Sequence, residues 1–487
     1  MPINLAFFCF YTLPLHHYKH NNSINMVSRL LSIITCLLVA ISAQAGAPKY
    51  IFYFIGDGMG LAPVMVAEAY NRTVLGNDQH LTMLQFPVTS MATSYSANRQ
   101  ITDSSAAGTA LSTGYKTNNY MLGVTPDSVP VYSVAKSLKE AGYGVAIATT
   151  VTLNDATPAA FYGHAPSRKD YYDTGKGIIE SNYDFFAGYN LISRNNNKGE
   201  ETDLYDLIKK AGYKMVWGKD GYEKVKDHNK IVLLNKPNRS GHCGFTVDSL
   251  GDKHFDVPYL TRTCLNHLQK NSPDKFFMMI EGGNIDWIAH ANDPGTVKSV
   301  LNFDQGIKIA YEFYLQHPDE TLIVVTADHN TGGMTFGMRG NKRVTLKNLD
   351  YQKMSISTFQ DICKDLQKRE KTVEWDEMKA LLSEKLGLYG AIEVEEKDDK
   401  AIQDAFNRTF KKNENEEVET LYLSYNKFVE IIFATFNRYT GIGWTTTGHT
   451  GDFTPVYAIG VGAEEFNGLN NNIDLPKKIA KIANVKF

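Results

Sequence analysis

Residues 50–70 read YIFYFIGDGMGLAPVMVAEAY, and the fold class follows from how that stretch is built. Tyr50 to Ile55 is a continuous apolar, β-rich run. A glycine-bearing turn holding Asp57 comes next, and Leu61 to Tyr70 then reads as a helix. A strand that is apolar at every position expects cover on both faces, which is the mark of strands joined through helices in a parallel sheet. The pattern recurs downstream. A helix is predicted over Val131 to Ala141, then a strand over Gly144 to Thr150. Phe276 to Ile280 and Thr321 to Thr326 are short apolar runs flanking Thr296 to Gln316, whose apolar residues recur near the 3.6 period. Val456 to Val461 is a further run. The expected fold is α/β, a mainly parallel central sheet flanked by helices on both faces.

In such sheets ligands gather outside the carboxyl ends of the strands. Asp57, Asp155, Glu281 and Asp328 each lie a few residues beyond a predicted strand. Asp286 and His290 are four apart, a spacing that puts both on one face if a helix begins after "GGN". Asp328 and His329 are adjacent, so they converge only where the chain turns sharply, and Gly332 and Gly333 permit that turn. "TTTGHTGD" adds His449. Aspartate and histidine bind zinc-like ions, while Asp, Glu and Thr oxygens suit magnesium. Cysteine is too sparse to supply ligands. Beside this set, "ITDSSAAGTALSTG" places Ser104 at the start of a small-residue helix, whose N-terminus favours an alkoxide. Ser105 is the alternative nucleophile one position on. Two close cations next to a serine suit phosphoryl transfer, and Arg168 in "HAPSRKD" offers a fork for the non-bridging oxygens. His164 reads as a hydrogen-bonded core histidine.

The bulk numbers narrow the field. With Lys+Arg 50 against Asp+Glu 53, the net charge of −3 excludes a nucleic-acid carrier or polybasic membrane binder. Arg29, the apolar run Leu30 to Ile41 and the small residues Ala43 and Ala45 form an export signal over residues 1–45, with Met26 as a plausible true start. The run is too short to span a bilayer, so the mature chain is expected to carry no membrane span. Export implies a periplasmic or secreted protein. Three cysteines remain beyond the leader, and one bridge, Cys243 to Cys264, is open to formation in an oxidising compartment. Residues 46–487 then make one catalytic domain with a Lys-, Glu- and Asn-rich helical insertion at about 340–440. There Ser357 and Gln360 are expected to form a capping box, and Val429, Ile432, Phe433 and Phe436 to line one helix face.

Six motifs, in order, carry a family resemblance: "GDGMG", "TDSSAAGTALSTGYKT", "NDATPAAFYGHAPSR", "EGGNIDWIAHAND", "TADHNTGG" and "GHTG". The chain resembles the alkaline phosphatases from Tyr50 to Gly462, outside the helical insertion. The resemblance implies that Asp286, His290 and His449 hold one zinc and that Asp57, Asp328 and His329 hold a second beside the nucleophile Ser104. It implies a magnesium on Asp57, Thr157 and Glu281, with Asp155 orienting its waters, and phosphate on Arg168. Trp287 stands where some members have lysine or histidine near the phosphate and others tryptophan. Phosphate monoesters are the implied substrates, a phosphoserine the implied intermediate, and a homodimer the implied assembly. The competing readings are a phosphodiesterase or sulfatase of the same broad superfamily, and a metal- or phosphate-binding protein without turnover. "DSSAAG" lacks the C/S-x-P-x-R setting of sulfatases.

Overall fold

A computed structural model describes residues 46–195, 202–238, 241–248, 254–338 and 345–487. The expected export signal of residues 1–45 lies outside the described residues. Ten strands form one sheet and are numbered here in chain order: β1 (Tyr50–Ile55), β2 (Val88–Thr93), β3 (Gly144–Thr149), β4 (Phe185–Gly188), β5 (Lys214–Trp217), β6 (Ile231–Leu234), β7 (Phe276–Glu281), β8 (Thr321–Thr326), β9 (Thr454–Gly460) and β10 (Leu469–Asn471). Their order across the sheet is β10-β2-β9-β8-β1-β7-β3-β4-β6-β5. All neighbours pair in parallel except β9, which runs antiparallel to both β8 and β2.

Alternate side chains of the same strand feed two cores. Phe52 and Phe54 of β1 join Phe276, Met278 and Ile280 of β7 on one face. Ile51, Tyr53 and Ile55 join Phe277 and Met279 on the other. The all-apolar runs are thus explained, since both faces are covered by helices and neither meets water. The Thr296–Tyr314 and Val257–Asn271 helices cover the first face, and the Asp474–Ile482 helix helps to cover the second.

The segment from 345 to 440 is built mainly from helices Ile356–Gln367, Trp375–Leu386, Glu396–Phe406 and Lys427–Thr440. Phe359, Phe428, Val429, Ile432, Phe433 and Phe436 belong to the first core, continuous with the sheet face. The expected capping box is displaced. The N-cap is Ser355, whose Oγ accepts from Thr358 N, because Asp248 binds both the amide and the hydroxyl of Ser355 and sets the turn two residues early. Gln360 instead accepts the Asn426 amide. The bridge left open between Cys243 and Cys264 is not formed. Both are free, buried thiols, as is Cys363.

One consequence of topology positions the site. In a parallel strand the loop after the strand lies at the carboxyl rim, whereas in an antiparallel strand it is the loop before. β9 therefore delivers His449, just ahead of Thr454, to the rim where β1, β7 and β8 deliver Asp57, Glu281 and Asp328.

Candidate active site

Asp57 sits in the turn after β1, and Gly58 explains why that turn is tight. Gly58 adopts φ +70, and a Cβ there would meet Thr331 Oγ1 at 2.8 Å and the Asp286 Cα at 2.9 Å. Its amide donates to Asp328 Oδ1 at 3.1 Å. A side chain at this position would hold the β1 and β8 loops apart. Gly332 and Gly333 likewise have positive φ, as the sharp exit after Asp328 and His329 requires.

Asp286 lies on the short helix Asn284–Ala289 and His290 caps it, so the four-residue spacing brings His290 Nε2 to 3.3 Å from Asp286 Oδ1. Hydrogen bonds fix the tautomers. His290 Nδ1 faces the Thr447 carbonyl at 2.5 Å and His449 Nδ1 faces the Thr102 carbonyl at 2.9 Å. A carbonyl only accepts, so each Nδ1 carries the proton and each Nε2 is left with a lone pair. Thr331 Oγ1 donates to Asp286 Oδ1, and His329 Nδ1 lies 3.2 Å from the same hydroxyl oxygen. His329 Nδ1 is then the donor in that pair, and its Nε2 also presents a lone pair.

These lone pairs converge. His290 Nε2 and His449 Nε2 are 3.1 Å apart. His329 Nε2 lies 3.1 Å from Asp328 Oδ2, 3.4 Å from Asp57 Oδ1 and 3.1 Å from Ser104 Oγ. Asp286, His290 and His449 form one group whose ligand atoms all lie within 4.8 Å, and Asp57, Asp286 and His329 form another. Thr157 Oγ1 donates to Asp57 Oδ2 at 3.2 Å, which puts Thr157 and Glu281 beside the same aspartate. Asp57 Oδ1, Asp286 Oδ2, Asp328 Oδ2 and both Glu281 oxygens are buried without a hydrogen-bond partner. Facing lone pairs and orphaned carboxylate oxygens are costly in a buried setting. A bound cation is what such a donor set fits.

The electrostatics agree. Burial, then the neighbouring Asp328 and Asp286, push the Asp57 carboxyl well above its ordinary range. Burial lifts Glu281 in the same way, and burial followed by the charge of Asp286 moves Asp328 up to about 7. Burial works against ionisation of Asp286 too, but His290 and His449 hold it well below the usual carboxylate range. Four buried carboxylates crowd one pocket.

Ser104 begins the helix Ser104–Thr113. Asp103 is the N-cap, with Oδ1 accepting from Ala106 N at 3.0 Å. Ser104 and Ser105 are distinguished here. Ser105 Oγ donates back to Asp103 Oδ2 at 2.7 Å, whereas Ser104 Oγ faces the histidine cluster. Arg168 is 9% exposed and forks between Asp103 Oδ2 at 3.3 Å and Asp155 Oδ1 at 3.0 Å. Those two carboxylates fix the guanidinium within electrostatic reach of His290 and His329. Trp287 follows Asp286 and packs on Phe245 and Ile288. His164 is partly buried, with Nδ1 2.7 Å from the Gly123 carbonyl. Thr331 and Tyr422 also belong to the site and went unread in the sequence. Thr331 sits inside a quoted motif, but Tyr422 lies in the insertion with no signature around it.

Comparison with known proteins places this arrangement in a family. The family model described as alkaline phosphatase matches residues 48–185 and 182–485. Alkaline phosphatase 4 of Bacillus subtilis strain 168 is 30% identical, with 94% of this chain and 97% of that protein covered. Alkaline phosphatase 3 of the same strain is also 30% identical, over 89% of this chain and 88% of its own. Among solved structures, the cold-active alkaline phosphatase of a psychrophilic Shewanella sp. superposes with a TM-score of 0.73 at 25% identity, over 89% of this chain and 99% of that one. The chain therefore belongs to the alkaline phosphatase family and is a phosphoric monoester hydrolase.

Proposed function

We propose that the protein is an exported, metal-dependent alkaline phosphatase that hydrolyses phosphate monoesters through a phosphoserine on Ser104. The observation that carries this reading is the convergence of three imidazole lone pairs and four buried carboxylates around a serine hydroxyl 3.1 Å from His329 Nε2. Asp286, His290 and His449 would hold one zinc, and Asp57, Asp328 and His329 a second. Asp57, Thr157 and Glu281 would hold magnesium, with Asp155 ordering its waters. When bound, such ions neutralise charge on the attacking and leaving oxygens and lower the pKa of hydroxyl and water.

The chain's own part is positioning. The helix dipole at Ser104 favours the alkoxide as the hydroxyl proton departs. Ser104 Oγ bonds to phosphorus while the ester P–O bond breaks and the leaving alkoxide picks up a proton. Arg168 holds two non-bridging oxygens through its fork and fixes the phosphoryl group for in-line attack. Water then attacks the phosphoserine, Ser104 leaves and recovers a proton, and phosphate is released. Two inversions give net retention at phosphorus.

Export rests on the Leu30 to Ile41 run with its Ala43 and Ala45 exit. No helix among the described residues is long and apolar enough to cross a membrane. A homodimer is proposed from the family resemblance. The test is Ser104→Ala, assayed on p-nitrophenyl phosphate and its bis-ester with metal content measured by mass spectrometry. The variant is expected to keep its metal and lose at least about 10³-fold in turnover, and chelation should silence the wild type. Full residual turnover, or a preference for the bis-ester, would overturn the reading.

A further inference from the structure

The insertion sends one side chain into the site from outside all six motifs. Strands Glu417–Glu419 and Ser424–Asn426 pair as an antiparallel hairpin. Its tip is closed by Thr420 N donating to the Leu423 carbonyl at 2.8 Å and Leu423 N donating to Thr420 Oγ1 at 3.2 Å. The base is fastened as well. Asn426 N donates to Gln360 Oε1 at 2.9 Å, and Asn426 Oδ1 accepts from Phe428 N at 2.8 Å and Thr409 Oγ1 at 3.0 Å. A tip held at both ends presents its side chains in fixed directions.

At that tip Leu421 is 59% exposed, and the next residue turns inward. The Tyr422 ring stacks on Trp287, with centroids 4.6 Å apart and planes at 14°, and meets the His290 ring edge-on at 5.2 Å. Trp287 is backed in turn by Phe245 and Ile288. The phenol lies within electrostatic reach of the Arg168 guanidinium and of Asp286, Asp155 and Asp57. An aromatic stack fixes a ring's direction well, so the place of the Tyr422 hydroxyl is set by Trp287.

We propose that Tyr422 is a substrate-binding residue whose hydroxyl donates to the phosphoryl group held by Arg168, with its ring kept in place by Trp287. The inference rests on the phosphomonoesterase reading of the same site. A monoester dianion brings three non-bridging oxygens, and the Arg168 fork reaches two of them. A phenol hydroxyl offers one donor and suits a further oxygen without adding a formal charge of its own. The insertion thereby takes part in recognising phosphate.

The test is Tyr422→Phe, which keeps the stack and removes one donor. Inorganic phosphate binding to the metal-loaded protein is measured by calorimetry beside KM for p-nitrophenyl phosphate. A lost hydrogen bond to an ion predicts phosphate binding weakened about 10- to 100-fold. KM should rise in step, while melting temperature and metal content stay at wild-type values. Trp287→Leu should weaken phosphate binding in the same direction, because the ring loses its backing. Phosphate bound by Tyr422→Phe within about twofold of wild type would overturn the assignment while leaving the phosphatase reading intact. A wild type that neither binds phosphate nor cleaves the monoester overturns both.

Discussion

Replacing Arg168 tests the phosphate fork most directly. Its two guanidinium nitrogens lie 3.3 Å from Asp103 Oδ2 and 3.0 Å from Asp155 Oδ1, so the group is pre-aimed by two buried carboxylates. Each charge-assisted hydrogen bond to a phosphoryl oxygen is worth about 1.5–3 kcal/mol. Arg168→Ala removes two such bonds and leaves Asp103 and Asp155 to repel the incoming dianion. Part of the gain is already spent in the free protein, where the same nitrogens bind those aspartates. A net loss of about 3–4 kcal/mol follows, or roughly 200- to 1,000-fold in kcat/KM. Arg168→Lys keeps the charge but not the fork and should lose about 10- to 30-fold. The assay is p-nitrophenyl phosphate hydrolysis against the bis-ester at matched metal content. The bis-ester carries less charge, so its rate should fall less and monoester preference should shrink. An Arg168→Ala enzyme with its metals in place and kcat/KM within fivefold of wild type would refute the reasoning.

Three further outcomes are expected. Ser105→Ala loses only its 2.7 Å bond to Asp103, so turnover should stay within a few-fold of wild type, and a collapse would move the nucleophile to Ser105. Gly58→Ala places a methyl at φ +70 about 2.8 Å from Thr331 Oγ1, so metal content and melting temperature should both fall, and unchanged values would contradict the packing. His267 is held neutral, its pKa lowered by burial to about 4. The unfolded chain takes up a proton below about 6.5 that the native state refuses, so the stabilisation is complete above that pH and lost as pH falls towards 4. Its full value is about 3 kcal/mol. His267→Gln should flatten the fall in melting temperature between pH 7 and 5, and a slope equal to wild type would sink the assignment.

Much of this was legible from residues alone, for physical reasons. The interiors of β1, β7 and β8 are apolar throughout because both of their faces are covered, and few other environments produce that pattern. The chemistry-bearing residues then stand at or just past the strand ends, so Asp57, Glu281 and Asp328 could be read by counting. Periodicity is silent on strand direction. Nothing in the apolar run after Phe453 shows that β9 opposes its neighbours, so "TTTGHTGD" offers His449 as a candidate ligand without showing which rim of the sheet it reaches. Local rules also yield to distant partners. Asp248, far away in sequence, chose Ser355 over Ser357 as the cap. Tyr422 was illegible because a tyrosine between two leucines in a polar hairpin has no local reason to face Trp287. Two buried thiols in one core invite a bridge in a count of cysteines and are unbonded in the structure.

The antiparallel strand sets a timetable for the enzyme. β2, which leads towards Ser104, reaches the rest of the sheet only through β9, and β9 sits between β2 and β8. The ribosome must pass residue 460 before that wedge exists. Until then β2 has no strand between itself and β8, although the Ser104 helix already has partners of its own, with Tyr53 Oη donating to the Leu111 carbonyl and Ser112 Oγ to the Ala160 carbonyl. His449 travels on the same late segment, so the group of Asp286, His290 and His449 is complete only once β9 has docked.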